Sequence, residues 1–285
     1  MAARFAFLGW SSARLSAGAA ALVALAAPAL ADGALTAKYA LSVAGIEVGR
    51  ASLIVRTTGA SYEMAGTGRV SGILRAVSSG KGSAAARGTL VGGRPAPQVF
   101  AANTQADGKD EAIRIGFSGP MIKELDVAPP TKPLPDRVEL TEAHKINVID
   151  PMTGAFVVVP PGADPLSEAA CTKAIPIFDG RQRFDVTLSF VRMDNVEAEK
   201  GYSGKAVVCR VGYVPVAGHR PARSTVKYMQ ANKDMYVWLV PIPGTGLMAP
   251  FKISIATMIG TAILEATSFE LAPQTATVPV STPTR

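Results

Sequence analysis

Cysteine and histidine are scarce: two of each in 285 residues. A structural zinc site takes four ligands, mostly Cys and His. A metal centre here would consume nearly all of them or recruit carboxylates, so no metal and no cofactor is expected. Charged residues make up only 18%, against 48% apolar. That excludes intrinsic disorder, which needs low hydrophobicity and high charge. Long apolar runs are also missing after residue 30, which excludes a polytopic helical membrane protein. Aromatics are 6%, and no Lys/Arg cluster is interleaved with them. A nucleic-acid partner therefore has no support.

What is present begins with an address. Arg4 and Arg14 precede an apolar run from Leu15 to Leu30, and no acidic residue occurs before Asp32. Pro28 is followed by Ala29-Leu30-Ala31, a small-x-small cleavage site. Residues 1–31 thus read as a secretory signal peptide cut after Ala31. The mature chain would hold 254 residues (285 less the 31-residue leader), and its net charge would fall from +7 to +5 with the loss of Arg4 and Arg14. Ordinary surface charge accounts for that balance more simply than an affinity for anionic surfaces. No transmembrane segment is expected in the mature chain.

Cys171 and Cys209 both lie in the exported part. In an oxidising space two cysteines most often pair. The bridge would close a loop of 38 positions (209 less 171), and loop entropy sets its stabilisation at about 4 kcal/mol.

Period-two alternation runs through most of the remainder. It predicts strands over Leu35–Val43, Ile46–Val55, Ser61–Val70, Gly82–Val91, Gln98–Thr104, Glu111–Phe117 and Met121–Val127. Phe184–Phe190 alternates most clearly, and Lys205–Val214 reads as its partner across a polar turn at Asn195–Gly204. Ser224–Ala231, Met235–Ile242, Phe251–Thr257 and Thr261–Leu271 continue the pattern, and Ile73–Val77 reads as a short helical turn. Pro129, Pro130, Pro133 and Pro135 form a rigid extended stretch. Beyond it Thr141 caps a predicted helix over Glu142–Ile149, and Asp150-Pro151 starts another through Met152–Val158. About twelve strands in one sheet must curl to avoid exposed edges. The expected fold is mainly β: a highly curved antiparallel sheet, an open barrel or β-spiral. One or two short helices are inserted mid-chain to plug or line its concave face. A single β-rich domain over 32–271 and a flexible tail over 272–285 are expected.

Sequence motifs for catalysis are weak. Gly80-Lys81-Gly82-Ser83 fails the phosphate-loop spacing, and Gly244–Ala249 is followed by Pro250 and a strand pattern where a dinucleotide fold needs a helix. Gly201–Lys205 lacks the last glycine of a nucleophile elbow. His219, beside Arg220, has no carboxylate within several residues, so a structural histidine outweighs a general base. The densest polar cluster is Phe178–Asp185. Arg181, Arg183 and Asp185 share one strand face beyond the Asp179-Gly180 turn. They would clamp a phosphate or carboxylate, or form a structural network with Asp179 and neighbouring acids, and the second reading is preferred. Trp238 would line an apolar pocket or pack in the core.

Several phrases together resemble a known family. They are Tyr39–Gly49, Ala174–Asp185, Val208–Pro215, Gly218-His219-Arg220-Pro221 and Val237-Trp238-Leu239. In this order the chain resembles the DUF3108 family of exported bacterial proteins, a domain of unknown function, from about Ala34 to Leu271. The resemblance implies a Gram-negative periplasmic protein and supplies no catalytic residues. The leading expectation is a non-catalytic protein supporting the cell envelope, with a lipid or amphipathic ligand in its concave sheet. A scaffold for another envelope protein is the first alternative, and a hydrolase using His219 or an acidic pair the second. A wide apolar groove would favour the carrier; a sealed core with Trp238 and the inserted helices packed inside would favour the scaffold.

Overall fold

The computed structural model describes residues 32–71, 80–160 and 162–273. The expected leader (1–31), the helical turn expected at Ile73–Val77 and residues 274–285 lie outside the described residues, whereas residues 272 and 273, expected in the tail, end the last strand. The first arm is a run of seven antiparallel strands: β1 (Gly33–Val43), β2 (Ile46–Thr58), β3 (Ser61–Val70), β4 (Lys81–Val91), β5 (Arg94–Ala106), β6 (Lys109–Ser118) and β7 (Met121–Ala128). The second comprises β8 (Val157–Val158), β9 (Lys173–Phe178), β10 (Arg183–Glu197), β11 (Lys200–Gly201), β12 (Ser203–Ala217), β13 (Met235–Ile242), β14 (Leu247–Thr257) and β15 (Gly260–Pro273).

These strands make one fifteen-stranded sheet, ordered β7-β6-β5-β4-β3-β2-β1-β15-β14-β13-β12-β10-β9, with β8 on β14 and β11 on β15. The chain meanders outward from β1 to β7, leaves the sheet, re-enters at the far edge as β9, and meanders back. Its first and last strands therefore pair at the middle of the sheet, from Gly33↔Pro273 to Val43↔Ala262. The expected curved antiparallel sheet is correct, and it is not closed into a barrel by its own ladder. The segment between the arms spans the gap instead. Ile146 bridges Met121 of β7 and Ile149 bridges Ile177 of β9. Asn147 N–H donates to Pro120 O at 2.7 Å, and Phe178 N–H to Ile149 O at 2.9 Å.

Two helical expectations are corrected here. Only Glu142–Lys145 is helical, as one 3-10 turn, because Ile146–Ile149 must stay extended to serve both sheet edges. The next helix, α1, is a single turn over Pro151–Gly154, started by Asp150, which accepts from Thr153 N–H at 2.8 Å. Val157–Val158, expected helical, pairs with Met248 and Leu247 as β8. A third correction runs the other way: Ser224–Ala231, expected as a strand, is helix α2. β12 and β13 pair directly, Cys209 with Val237, so the stretch between them has no ladder to join. Lys227, Met229, Gln230 and Ala231 are good helix formers, and α2 buries no residue.

Apolar positions of both arms face a common interior. Leu35, Val55, Tyr62, Phe251 and Phe269 form the largest cluster, and Phe156 and Val158 enter it from the inserted segment. A second cluster surrounds Cys171 and Cys209, and a third joins Phe100 and Ile115 to Val148 and Phe178 where the two edges approach. The face enclosed by the curling sheet is thus filled by the chain's own mid-section.

Candidate functional site: a polar groove and an arginine latch

The cluster singled out in the sequence gathers around the proline-rich strap that joins the arms. At the β9–β10 turn the Asp179 carboxylate accepts from the backbone N–H of Arg181 at 2.8 Å and of Gln182 at 2.6 Å. Burial nevertheless pushes its ionisation upward, against those amides and the Arg181 charge. Arg181 reaches across to the strap, donating to Thr131 Oγ1 at 3.1 Å and to Pro129 O at 3.0 Å. Arg220 holds Asp136 through both carboxylate oxygens, at 2.9 and 2.8 Å. Arg137 donates to Gly218 O at 2.6 Å, and Val138 exchanges backbone bonds with Gly218 and His219. Arg183 pairs with Asp185 at 2.8 Å on β10. Sequence distance hid the role of Asp136 and Arg137, since nothing local marks them as partners of residues some eighty positions away.

His219 is buried, and burial lowers its ionisation, leaving the ring neutral at neutral pH. Its Nδ1 meets no partner among the described residues. Trp238 is half-buried. Its Nε1 donates to Asp194 at 2.9 Å, while Arg192 and Lys252 lie 5.9 and 5.3 Å from the ring centre. The ring packs against the largest core cluster, as the core reading expected, with these charges around its outer side. Cys171 and Cys209 are joined by a disulfide whose Cα atoms are 5.4 Å apart.

A feature that sequence reading missed lies on the outer face of the first arm. A groove of about 1270 Å³ runs across β1 to β7. Its floor is a row of small side chains in register, Ser52–Thr67–Ser83–Asn103–Ala112–Ala128. Ser52 and Thr67 hydroxyls meet at 2.7 Å. The next row is Arg50–Arg69–Lys81–Gln105–Asp110. No Leu, Ile, Val, Met or Phe lines it, and its charges balance: Lys38, Arg50, Arg69 and Lys81 against Glu47, Asp110, Glu111 and Glu199. The available signal was the outward position of each strand, occupied by Ser, Thr, Asn or Ala where solvated strands usually carry long charged residues. Only register aligns those positions into one floor.

A family model for proteins of unknown function, DUF3108, matches residues 38–267. The chain belongs to this family. Comparison of this DUF3108 chain with curated proteins returns no match. Among solved structures it is similar to a beta-barrel-like protein of domain of unknown function DUF1849 from Brucella abortus. That likeness is 9% identical, covers 86% of this chain and 100% of the other, and has a TM-score of 0.49. The strap and its latch fall within the DUF3108 match, as does every residue of the groove floor. No helix among the described residues of the DUF3108 chain is long and apolar enough to cross a membrane.

Proposed function

We propose that this protein is an exported, non-catalytic interaction module of the bacterial cell envelope, acting in the periplasm, and that its polar groove receives a segment of another envelope protein. The observation that carries the reading is the contrast between the two sheet faces. The enclosed face, which a lipid carrier would need free, is occupied by Phe156, Val158 and Val148. The groove on the open face has hydroxyl, amide and charged groups beside Tyr39, and no aliphatic side chain larger than alanine. Acyl chains bind by removing apolar area from water and would gain little there. A polypeptide offers donors and acceptors to match.

Export is supported by the leader pattern and by the Cys171–Cys209 disulfide, a bond that persists in oxidising compartments. A catalytic reading has His219 as its best base, yet the buried Nδ1 of its ring has no hydrogen-bond partner among the described residues. A base needs its nucleophile within hydrogen-bond reach. Photocrosslinking residues placed at Ser83 and Asn103 in cells test the proposal. A discrete protein adduct is expected. Lipid recovered in stoichiometric amount with no protein adduct would return the carrier reading to first place.

A further inference from the structure

Two hairpin turns lie side by side at one end of the sheet. The β1–β2 turn is Ala44-Gly45, and the β14–β15 turn carries Met258 and Ile259. Ala44 N–H donates to Thr261 O at 3.0 Å, and a Cβ on Gly260 would stand 2.7 Å from that of Ala44. The turns therefore touch. Ile259 is 79% exposed, Met258 62% and Ile46 51%. Pairing does not require them, because the Thr257↔Gly260 closure of the hairpin is a backbone feature. Polar turn formers would be the ordinary choice at such positions.

Below the tips stands a row of cations. Arg50, Arg69 and Lys81 are direct cross-strand neighbours on β2, β3 and β4. Like charges placed opposite one another destabilise a sheet. Only Arg50 of the three has a carboxylate in an ion pair among the described residues, Glu47 at 2.8 Å. Arg50 is four residues from Ile46, about 13 Å along a strand, and long basic side chains extend toward a polar boundary. Apolar tips above Arg69 and Lys81, which have no ion pair among the described residues, match a bilayer surface, with its apolar interior beneath anionic headgroups. A second copy of this chain would set the same row of cations against itself.

We propose that the Ala44–Ile46 and Met258–Ile259 tips dock this protein on an anionic phospholipid surface. The three apolar side chains enter the headgroup–acyl boundary, and Arg69 and Lys81 meet lipid phosphates. Both cations also line the groove, so docking holds the groove at the membrane whatever its occupant. The inference goes beyond the interaction-module reading and does not depend on it.

Flotation of the mature chain with vesicles tests the docking. Vesicles of phosphatidylglycerol and phosphatidylcholine in equal parts are compared with pure phosphatidylcholine. The protein is expected to float with the first, in a salt-sensitive manner, and not with the second. Met258→Ser with Ile259→Ser should weaken partitioning at least about tenfold. Arg69→Ala with Lys81→Ala should abolish the preference for phosphatidylglycerol. Both pairs are solvent-exposed, and thermal melts check that the variants fold. Failure to float, flotation unaffected by either pair, or a concentration-dependent dimer that the tip variant dissolves without any vesicle binding would overturn the proposal.

Discussion

Arg181 donates through Nη2 to the backbone carbonyl of Pro129 at 3.0 Å, across 52 positions of sequence. Through Nη1 it also holds Thr131. One guanidinium thereby fastens the β9–β10 turn to the strap that crosses between the sheet's outer edges. Arg181→Ala should cost about 1–3 kcal/mol, as expected for losing charge-assisted hydrogen bonds. Arg181→Lys should recover only part, since an ammonium lacks the planar fork. Urea titration measures the loss. Hydrogen exchange should accelerate at residues 131–138 well before it does in β1 or β15.

Gly218 and Gly45 both have positive φ, +80° and +83°, but their surroundings differ. A Cβ on Gly218 would overlap the Arg181 carbonyl, whereas nothing lies within 4 Å of one on Gly45. Gly218→Ala should destabilise by more than about 2 kcal/mol through combined strain and collision. Gly45→Asn should be nearly neutral, because asparagine tolerates the left-handed region. Thermal melts of the two variants give the comparison.

Asp150 is fully buried, and burial raises its ionisation above the usual carboxylate range. Its folded form then binds a proton more tightly than its unfolded form. Its contribution to stability therefore improves as pH falls through the raised value and levels off below the unfolded one. Asp150→Asn keeps an acceptor for Thr153 N–H without the charge. The variant should gain on the wild type at neutral pH, and the difference should shrink on acidification. Denaturant melts across the acid range read this directly.

The Cys171–Cys209 bond joins the 3-10 turn before β9 to the centre of β12, with both residues fully buried. Replacing both by alanine should cost about 2–4 kcal/mol, mainly by freeing the unfolded chain. Calorimetry of the alanine variant against the oxidised protein checks the figure.

Strand positions in β1 and β3 were legible because each has one buried and one solvated face, so side chains alternate. Ser224–Ala231 misled for the same reason: a short polar–apolar alternation suits a strand until its neighbours are seen to pair without it. Ile146–Ile149 misled because a capped start at Thr141 says nothing about two sheet edges waiting downstream. In the polar cluster, the chemistry of Arg181 and Arg220 was evident, whereas their partners Pro129, Thr131 and Asp136 were not. Hydrogen bonds across fifty to eighty-four positions leave no local trace.

By itself the sequence determined that this is a β-rich chain with an export leader pattern, two cysteines placed to bond, and DUF3108 phrases in order. Those properties are written in local alternation, composition and spacing. Tertiary structure alone decided that β1 pairs with β15, that the mid-section fills the enclosed face, and that Ser, Thr and Asn from separate strands align into an open polar floor. Register is a long-range choice: it is set by burying apolar faces against one another, and no single strand contains it.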